Sequence, residues 1–441
     1  MSLMSPTIST LSIFTRSPVA GESKTRLSGV LGAPGAARLQ REMTQHVARQ
    51  ARILSATDGV TVEARITGDD FREARRWLRL RCVPQGEGSL GDRLERALQD
   101  GLRSGRIAAV LGGDCPTVDA AGIRQALEAA SHRGGALIPA TDGGFCLMAL
   151  TRDSAERLPG LLAGIAWGTE HVADQTRAAL ARAHIDVEIL EPRADIDRPE
   201  DLPAWEAIRA QWYEPPRTLT VVVPALNEAE TLPALLAAVE QADVETIVVD
   251  GGSTDGTADV ARRAGIPVIE GYRGRAAQMN AGAAAAMSDA VLFLHADTAP
   301  PYGFVGDALA VLCDPEVLVG AFRFSNGADT PKMRLIEWGT NLRSRLGFPY
   351  GDQGLFMRTA AWRAFGGFPA VPIMEDYDLV RAARRAGEVR TAPTAVVTSD
   401  RRWREMGPWR YTALNTATVL GRELGVSPAI LASWRARYSK R

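Results

Sequence analysis

Short apolar runs alternate with amphipathic stretches along the chain, and the two periods assign its elements. LSIFT (11–15) and AAVLGG (108–113) are strand-length runs; between them Leu39, Met43 and Val47 recur at i, i+4, i+8 and mark one face of a helix. The pattern breaks at AWEAIRAQWYEPPRT (204–218), where Pro215-Pro216 ends a helix and begins an extended segment. A second series follows. LTVVVPALNE (219–228) reads as a strand running into a polar turn, ETIVVDGGSTDGT (245–257) as a strand, a Gly-rich turn and a helix start, and AVLFLHADT (290–298) as a strand ending in an acid. This alternation predicts an α/β protein with mostly parallel sheets flanked by helices. The break predicts two domains, 1–212 and 218–441. They are expected to be of related architecture, since GGDCP in the first and LHADT in the second both run a strand straight into an Asp.

Composition narrows the partners. Lys+Arg 51 against Asp+Glu 52 gives a formal net charge of −1, so no overall field draws the chain to nucleic acid or to an acidic surface. Cys82, Cys115, Cys146 and Cys313 form no CxxC pair, which argues against a zinc knuckle or a disulfide framework and for reduced thiols. No apolar run reaches the 18 or so residues of a membrane span, and the N-terminus lacks the features of a signal peptide. The expectation is a soluble, cytoplasmic protein with no stable membrane insertion. Its five histidines show no ligand spacing, so a metal would rest mainly on carboxylates, which favours Mg²⁺ or Mn²⁺.

Candidate chemistry lies where ligands bind in open α/β sheets, at the carboxyl ends of the strands. Asn227 and Glu228 follow one strand, Asp250 ends the next, and His295 and Asp297 end another. MEDYDL (374–379) then gathers Glu375, Asp376 and Asp378, where carboxylates this close raise one another's pKa when partly desolvated. Glu375 and Asp376 have a plainer use as first-turn acids of the helix DLVRAARRAG. GFPYGDQGLFMR (347–358) offers Asp352 and Gln353 to acceptor hydroxyls, or is a tight turn. The segment RRWREMGPWRYTALNTATVL interleaves arginines with aromatics, as a lid, as packed helices, as a single-strand nucleic-acid surface or as a membrane-edge helix.

In this order, VVVPALNEAETL, IVVDGGSTDGT, GRAAQMNAG, LFLHADT and MEDYDL resemble the family-2 glycosyltransferases, which have the GT-A fold. The match is closer to the arsenosugar-biosynthesis type, also called rSAM/selenodomain-associated transferase 2, over about residues 218–435. The resemblance implies a nucleotide-sugar donor and a small-molecule acceptor. It makes Pro224, Asn227 and Glu228 part of the nucleotide pocket, sets Asp250 against the base or ribose, and sets Arg275 against the diphosphate. It makes Asp297 the metal-holding acid, with His295 where many relatives have another Asp, and Asp376 the general base with Glu375 beside it on the acceptor side. SDRRWREMG (399–407) lacks the Gln of the motif found in processive members.

In the first half, RSPVAGESKTRLSGVLG (16–32) sets Arg16, Lys24 and Arg26 around a strand-to-helix turn, a phosphate cradle or a solvated basic loop. With LGGDCPTV, PATDGGFCLMAL, IAWGT and ADIDRPEDL it resembles the rSAM/selenodomain-associated transferase 1 family, similar to GT-A nucleotidyltransferases, over about residues 8–205. By that analogy Lys24 and Arg26 hold phosphates, and Asp114 with Asp195 or Asp197 binds a metal. Asp142 is either catalytic or shapes a Gly turn. Three roles stay open for this half: handling a nucleotide or sugar nucleotide beside the transferase, acting as the main catalyst that releases pyrophosphate, or serving as a non-catalytic binding module.

Overall fold

The computed structural model describes residues 9–68, 71–240, 244–327 and 330–439. The chain divides into two compact units, Met1–Ala210 and Gln211–Arg441. The division falls inside the helix Leu202–Trp212, and Arg358 explains why its last turn goes with the second unit. This guanidinium is buried and donates from Nη1 to the carbonyls of Gln211 (3.4 Å) and Glu214 (2.7 Å) and from Nη2 to that of Leu312 (2.7 Å).

The first unit holds strands β1 (Ser9–Arg16), β2 (Thr61–Thr67), β3 (Arg81–Pro84), β4 (Ile107–Gly112), β5 (Gly135–Pro139), β6 (Phe145–Thr151) and β7 (Glu188–Ile189). The sheet order is β3-β2-β1-β4-β6-β5-β7. The second holds β8 (Leu219–Ala225), β9 (Val244–Asp250), β10 (Val268–Ile269), β11 (Ala290–Phe293), β12 (Thr298–Ala299), β13 (Val317–Ser325), β14 (Leu355–Arg358) and β15 (Glu388–Thr398). Its order is β10-β9-β8-β11-β14-β13-β15-β12. Strand for strand this repeats the first unit, with β12 added at the edge, so the expected kinship of the two halves holds at the level of topology.

The α/β expectation holds, with one refinement. Each sheet is mostly parallel, but β6 runs antiparallel to both β4 and β5, and β14 runs antiparallel to both β11 and β13. The central strands are apolar along their length because helices cover both faces, and β8 is buried at every position. Leu39, Met43 and Val47 are buried on the long helix Ser28–Asp58, as their spacing requires. β13 and β14 pack closely: a Cβ on Gly320 would lie 1.9 Å from the Phe356 ring. The acids singled out at strand ends therefore sit at the carboxyl edge of a sheet whose own interior is closed.

Candidate active site

In the second unit, Arg275, Gly351 and, beyond β11, His295 come near the first turn of the helix Glu375–Ala386. The loop after β8 is tied to the Gly-rich turn after β9. Asn227, at φ 55°, accepts at Oδ1 from the Thr254 N–H (2.9 Å), and its own N–H donates to Ser253 Oγ (2.9 Å). The Glu228 N–H donates to Thr257 Oγ1 (2.9 Å), and the Ala229 N–H to Asp255 Oδ2 (3.0 Å). Gln278, within GRAAQMNAG, is buried and donates from Nε2 to the carbonyls of Ala225 and Val249, both at 2.8 Å, so it clamps the ends of β8 and β9 together. Asp250 is buried; its Oδ2 accepts from the Gly252 and Ser253 N–H groups (2.9 Å each). Its Oδ1 is buried with no hydrogen-bond partner among the described residues. A buried carboxylate oxygen left unpaired is costly.

Glu375 is 2% exposed, and its Oε1 lies 3.0 Å from Arg275 Nε. Burial pushes its carboxyl up, Arg275 opposes the rise and Asp376 adds to it. Asp376 is fixed by two backbone donors, Gly351 N–H to Oδ2 (2.6 Å) and its neighbour Tyr377 N–H to Oδ1 (2.8 Å). Beside it Asp352 is pushed up to about 6, chiefly by burial, with Arg343 opposing and Asp376 adding to the rise. Asp352 Oδ1 is also buried without a partner among the described residues. His295 is pulled down to about 4 by burial and by Arg275, against Asp297 and Asp376, so its imidazole is neutral at physiological pH.

Several of the expected residues are engaged within the fold. Gln353 is fully buried and spent on the fold. Its Nε2 donates to the Phe322 carbonyl (2.9 Å), and its Oε1 accepts from Ser344 Oγ (2.8 Å) and the Tyr350 N–H (3.1 Å). Asp352 alone of that pair has an uncommitted oxygen. Pro224 is buried inside β8, paired with Val249, and shapes the strand end without offering a surface. Asp378, in the first turn of the helix Glu375–Ala386, accepts a bidentate pair from Arg422 (2.9 Å each). Three arginines were not singled out as site residues. Arg402 acts electrostatically on His295, Arg401 Nη2 lies 3.7 Å from Glu228 Oε1, and Arg343 stacks on the Tyr350 ring at 3.2 Å. Their signal was the interleaved Arg and aromatic run and the Arg that precedes GFPYGDQG.

In the first unit the named residues meet around one ammonium. Lys24, at φ 49°, is buried, and its Nζ lies 2.9 Å from Asp114 Oδ2 and 3.2 Å from Asp197 Oδ1. Arg26 pairs with the other oxygen of Asp197. Burial alone would lower the Lys24 pKa, but the two carboxylates raise it above its ordinary value. Burial likewise pulls Asp114 up, and Lys24 outweighs it to hold that carboxyl low. Asp195 is pushed up to about 6 by burial and by the Asp142 and Asp114 charges. Asp142 is exposed and accepts the Gly144 N–H (2.8 Å), so it shapes the glycine turn, where a Cβ on Gly143 would strike the Glu170 backbone at 2.1 Å. The Lys24 ammonium is thus engaged by carboxylates, while Arg26 stays largely exposed beside it. Among the described residues, no group of three or more His, Cys, Asp or Glu side chains gathers to hold a metal ion in either unit.

Residues 220–366 match the model for "Glycosyl transferase family 2", and residues 46–169 match DUF2064, described as an uncharacterized protein conserved in bacteria. An uncharacterized glycosyltransferase of Mycobacterium tuberculosis (strain ATCC 25618 / H37Rv) is 42% identical over 139 residues, 30% of this chain and 63% of that protein. The pre-mycofactocin glycosyltransferase of the same strain is 29% identical over 254 residues, 53% of this chain and 50% of that protein. The chain thus spans less than two thirds of the length of these curated relatives. A solved structure of a candidate nucleotide-diphospho-sugar transferase from Desulfovibrio desulfuricans G20 is 28% identical with a TM-score of 0.41, covering 46% of this chain and 87% of that one. The chain thus carries one segment similar to DUF2064 and, after it, one similar to glycosyl transferase family 2.

Proposed function

We propose that the second unit moves a glycosyl group from a nucleotide-sugar donor to a hydroxyl of a small acceptor, with Asp376 as general base. The observation that carries this is the clustering of the Arg275–Glu375 pair with the Asp376 and Asp352 carboxylates, and the unpartnered Asp250 oxygen at the end of β9 supports it. In this reading Asp250 takes the base or ribose. Breaking the anomeric C–O bond leaves a nucleoside diphosphate, and a guanidinium already fixed by Glu375 meets its growing charge with little reorganisation. The acceptor oxygen bonds to the anomeric carbon as its proton passes to Asp376, help typically worth about 10² to 10⁴ in rate. One base opposite the leaving group gives direct displacement with inversion.

Asp297 and the neutral His295 would hold Mg²⁺ or Mn²⁺, with the diphosphate oxygens completing the shell, because these two side chains alone are too few. When bound, such an ion neutralises charge on the leaving diphosphate. The motif resemblance to arsenosugar-biosynthesis transferases supports a small acceptor. The first unit, in the same reading, binds or processes a nucleotide or sugar nucleotide at Lys24, Arg26, Asp114 and Asp195.

A second reading makes the first unit the main catalyst, a nucleotidyltransferase that releases pyrophosphate. The raised Asp195 beside Asp114 favours it, since perturbed carboxyls cluster at functional sites. One experiment separates the two. The protein is incubated with Mn²⁺ or Mg²⁺ and a panel of nucleotide-sugars and nucleoside triphosphates, as wild type, Asp376→Asn and Asp114→Asn. Nucleoside diphosphate release lost in Asp376→Asn upholds the transferase. Pyrophosphate release lost only in Asp114→Asn overturns the ranking.

A further inference from the structure

Exposed apolar side chains are concentrated on the helices of the second unit's C-terminal part. On helix Pro331–Arg345, Met333 and Ile336 face inward and pack with Phe324, Trp403 and Tyr411. The opposite face carries Leu335, Trp338 and Leu342 at i, i+3, i+7, continued by Leu346, all 44–63% exposed. Helix Pro428–Ser439 carries a second stripe, Ile430, Trp434 and Tyr438 at i, i+4, i+8, at 46–55%. Single exposed apolar residues are ordinary; aligned stripes with a tryptophan in each are not.

Charge accompanies the stripes. Segments 331–346 and 401–438 hold eleven Lys and Arg against three Asp and Glu, in a chain whose net charge is −1. Beside Trp338 and Leu342 a hollow of about 220 Å³ is walled by Arg323, Arg334 and Arg345. The Arg323 Nε is buried and has no hydrogen-bond partner among the described residues. The acid of the hollow, Glu337, is engaged by Ser325 Oγ at 3.2 Å.

We infer that this face docks reversibly on an anionic lipid surface. Leu335, Trp338 and Leu342 enter the headgroup–acyl boundary, and the arginine-walled hollow takes a lipid phosphate. A helix surface that sets Trp and Leu outward beside arginines suits a membrane interface, where affinity adds apolar burial to attraction for anionic headgroups. No span is involved: among the described residues no helix is long and apolar enough to cross a membrane. The inference does not depend on which group the enzyme transfers.

The test is co-sedimentation of the full chain with vesicles of phosphatidylcholine alone or mixed with phosphatidylglycerol, at low and at 0.5 M salt. Binding should require the anionic lipid and weaken at high salt as charges are screened. The double variant Arg334→Gln/Arg345→Gln should lower affinity on the order of thirtyfold, from about a fivefold contribution per basic residue near the surface. Trp338→Ser/Leu342→Ser should lower it while leaving solubility and the circular dichroism spectrum intact. The inference is overturned if the protein ignores phosphatidylglycerol vesicles at low salt, or if neither variant alters binding. It is equally overturned if Trp338→Ser/Leu342→Ser converts a dimer to a monomer, or if single-stranded nucleic acid competes the protein off the vesicles.

Discussion

Arg275 Nε lies 3.0 Å from Glu375 Oε1, so the guanidinium proposed for the diphosphate is held from behind by an acid buried to 2% exposure. On the proposed function this pairing gives Glu375 a positioning role, beside the acceptor-side role that the motif implies. Glu375→Gln keeps the shape and removes the charge, and a charged hydrogen bond is worth about 1.5–3 kcal/mol. The donor KM should rise on the order of tenfold, with a smaller change in kcat. Arg275→Ala should cost more, about 10²-fold or greater in kcat/KM, through lost stabilisation of the leaving group. Steady-state kinetics with varied donor read both, and an unchanged donor KM in Glu375→Gln would sink the positioning role.

Gly351 controls the orientation of Asp376. Its N–H donates to Asp376 Oδ2, and a Cβ at Gly351 would stand 2.9 Å from that oxygen. Gly351→Ala should turn the carboxylate, and a misplacement of about 1 Å costs on the order of 10²-fold in rate. Stabilisation by donor in a thermal-shift assay should survive, since Asp250 and Arg275 are untouched. Loss of both together would mean that the loop has collapsed.

Lys24 sits between Asp114 and Asp197 with its side chain 4% exposed. Lys24→Met leaves two carboxylates facing each other with no ammonium. Breaking a buried pair costs about 3–5 kcal/mol, and the 41% exposure of Asp114 reduces this to roughly 2 kcal/mol. Urea unfolding should show the loss in the first unit, and Asp114→Asn in the Lys24→Met background should recover part of it. Additive effects of the two substitutions would show that the pair is not coupled.

Asp195 gives a pH dependence of definite sign. Its folded pKa of about 6 lies above the ordinary carboxyl value, so its contribution to stability is fully present below that ordinary value and lost as pH rises through 6. Asp195→Asn removes the penalty. It should raise the melting temperature of the first unit above pH 6, by the equivalent of on the order of 1 kcal/mol after solvent screening, with a shrinking difference towards pH 4. A gain that does not vary with pH would point to packing.

Much of the fold was legible because local period reports local burial. β1, β4, β8 and β9 lie where their apolar runs put them, and the acids fall at or beyond the strand ends. β11 is shorter than its run, ending at Phe293, so His295 and Asp297 stand on the turn beyond it. Within the site, the crowding of Glu375, Asp376 and Asp378 followed from spacing alone. Their division of labour did not: Asp378 belongs to Arg422, Glu375 to Arg275, and Asp376 to the backbone at Gly351. Gln353 looked available because a glycine-rich loop usually faces solvent, yet Ser344 and Phe322 claim its amide.

The chain by itself determined where β1, β4, β8 and β9 lie, where acids cluster, and that two α/β series follow one another, since all of these are written within a turn or two of sequence. Lys24 and Met374, at the candidate sites, adopt positive φ without being glycine or asparagine, a conformation that surrounding packing sustains. Tertiary structure alone decided the antiparallel insertion of β6 and β14, the turning of Lys24 onto acids 90 and 173 residues away, and the pairing of Arg275 with Glu375. Each of these joins groups far apart along the chain. Their energy comes from desolvation and charge at a meeting point that no local pattern encodes.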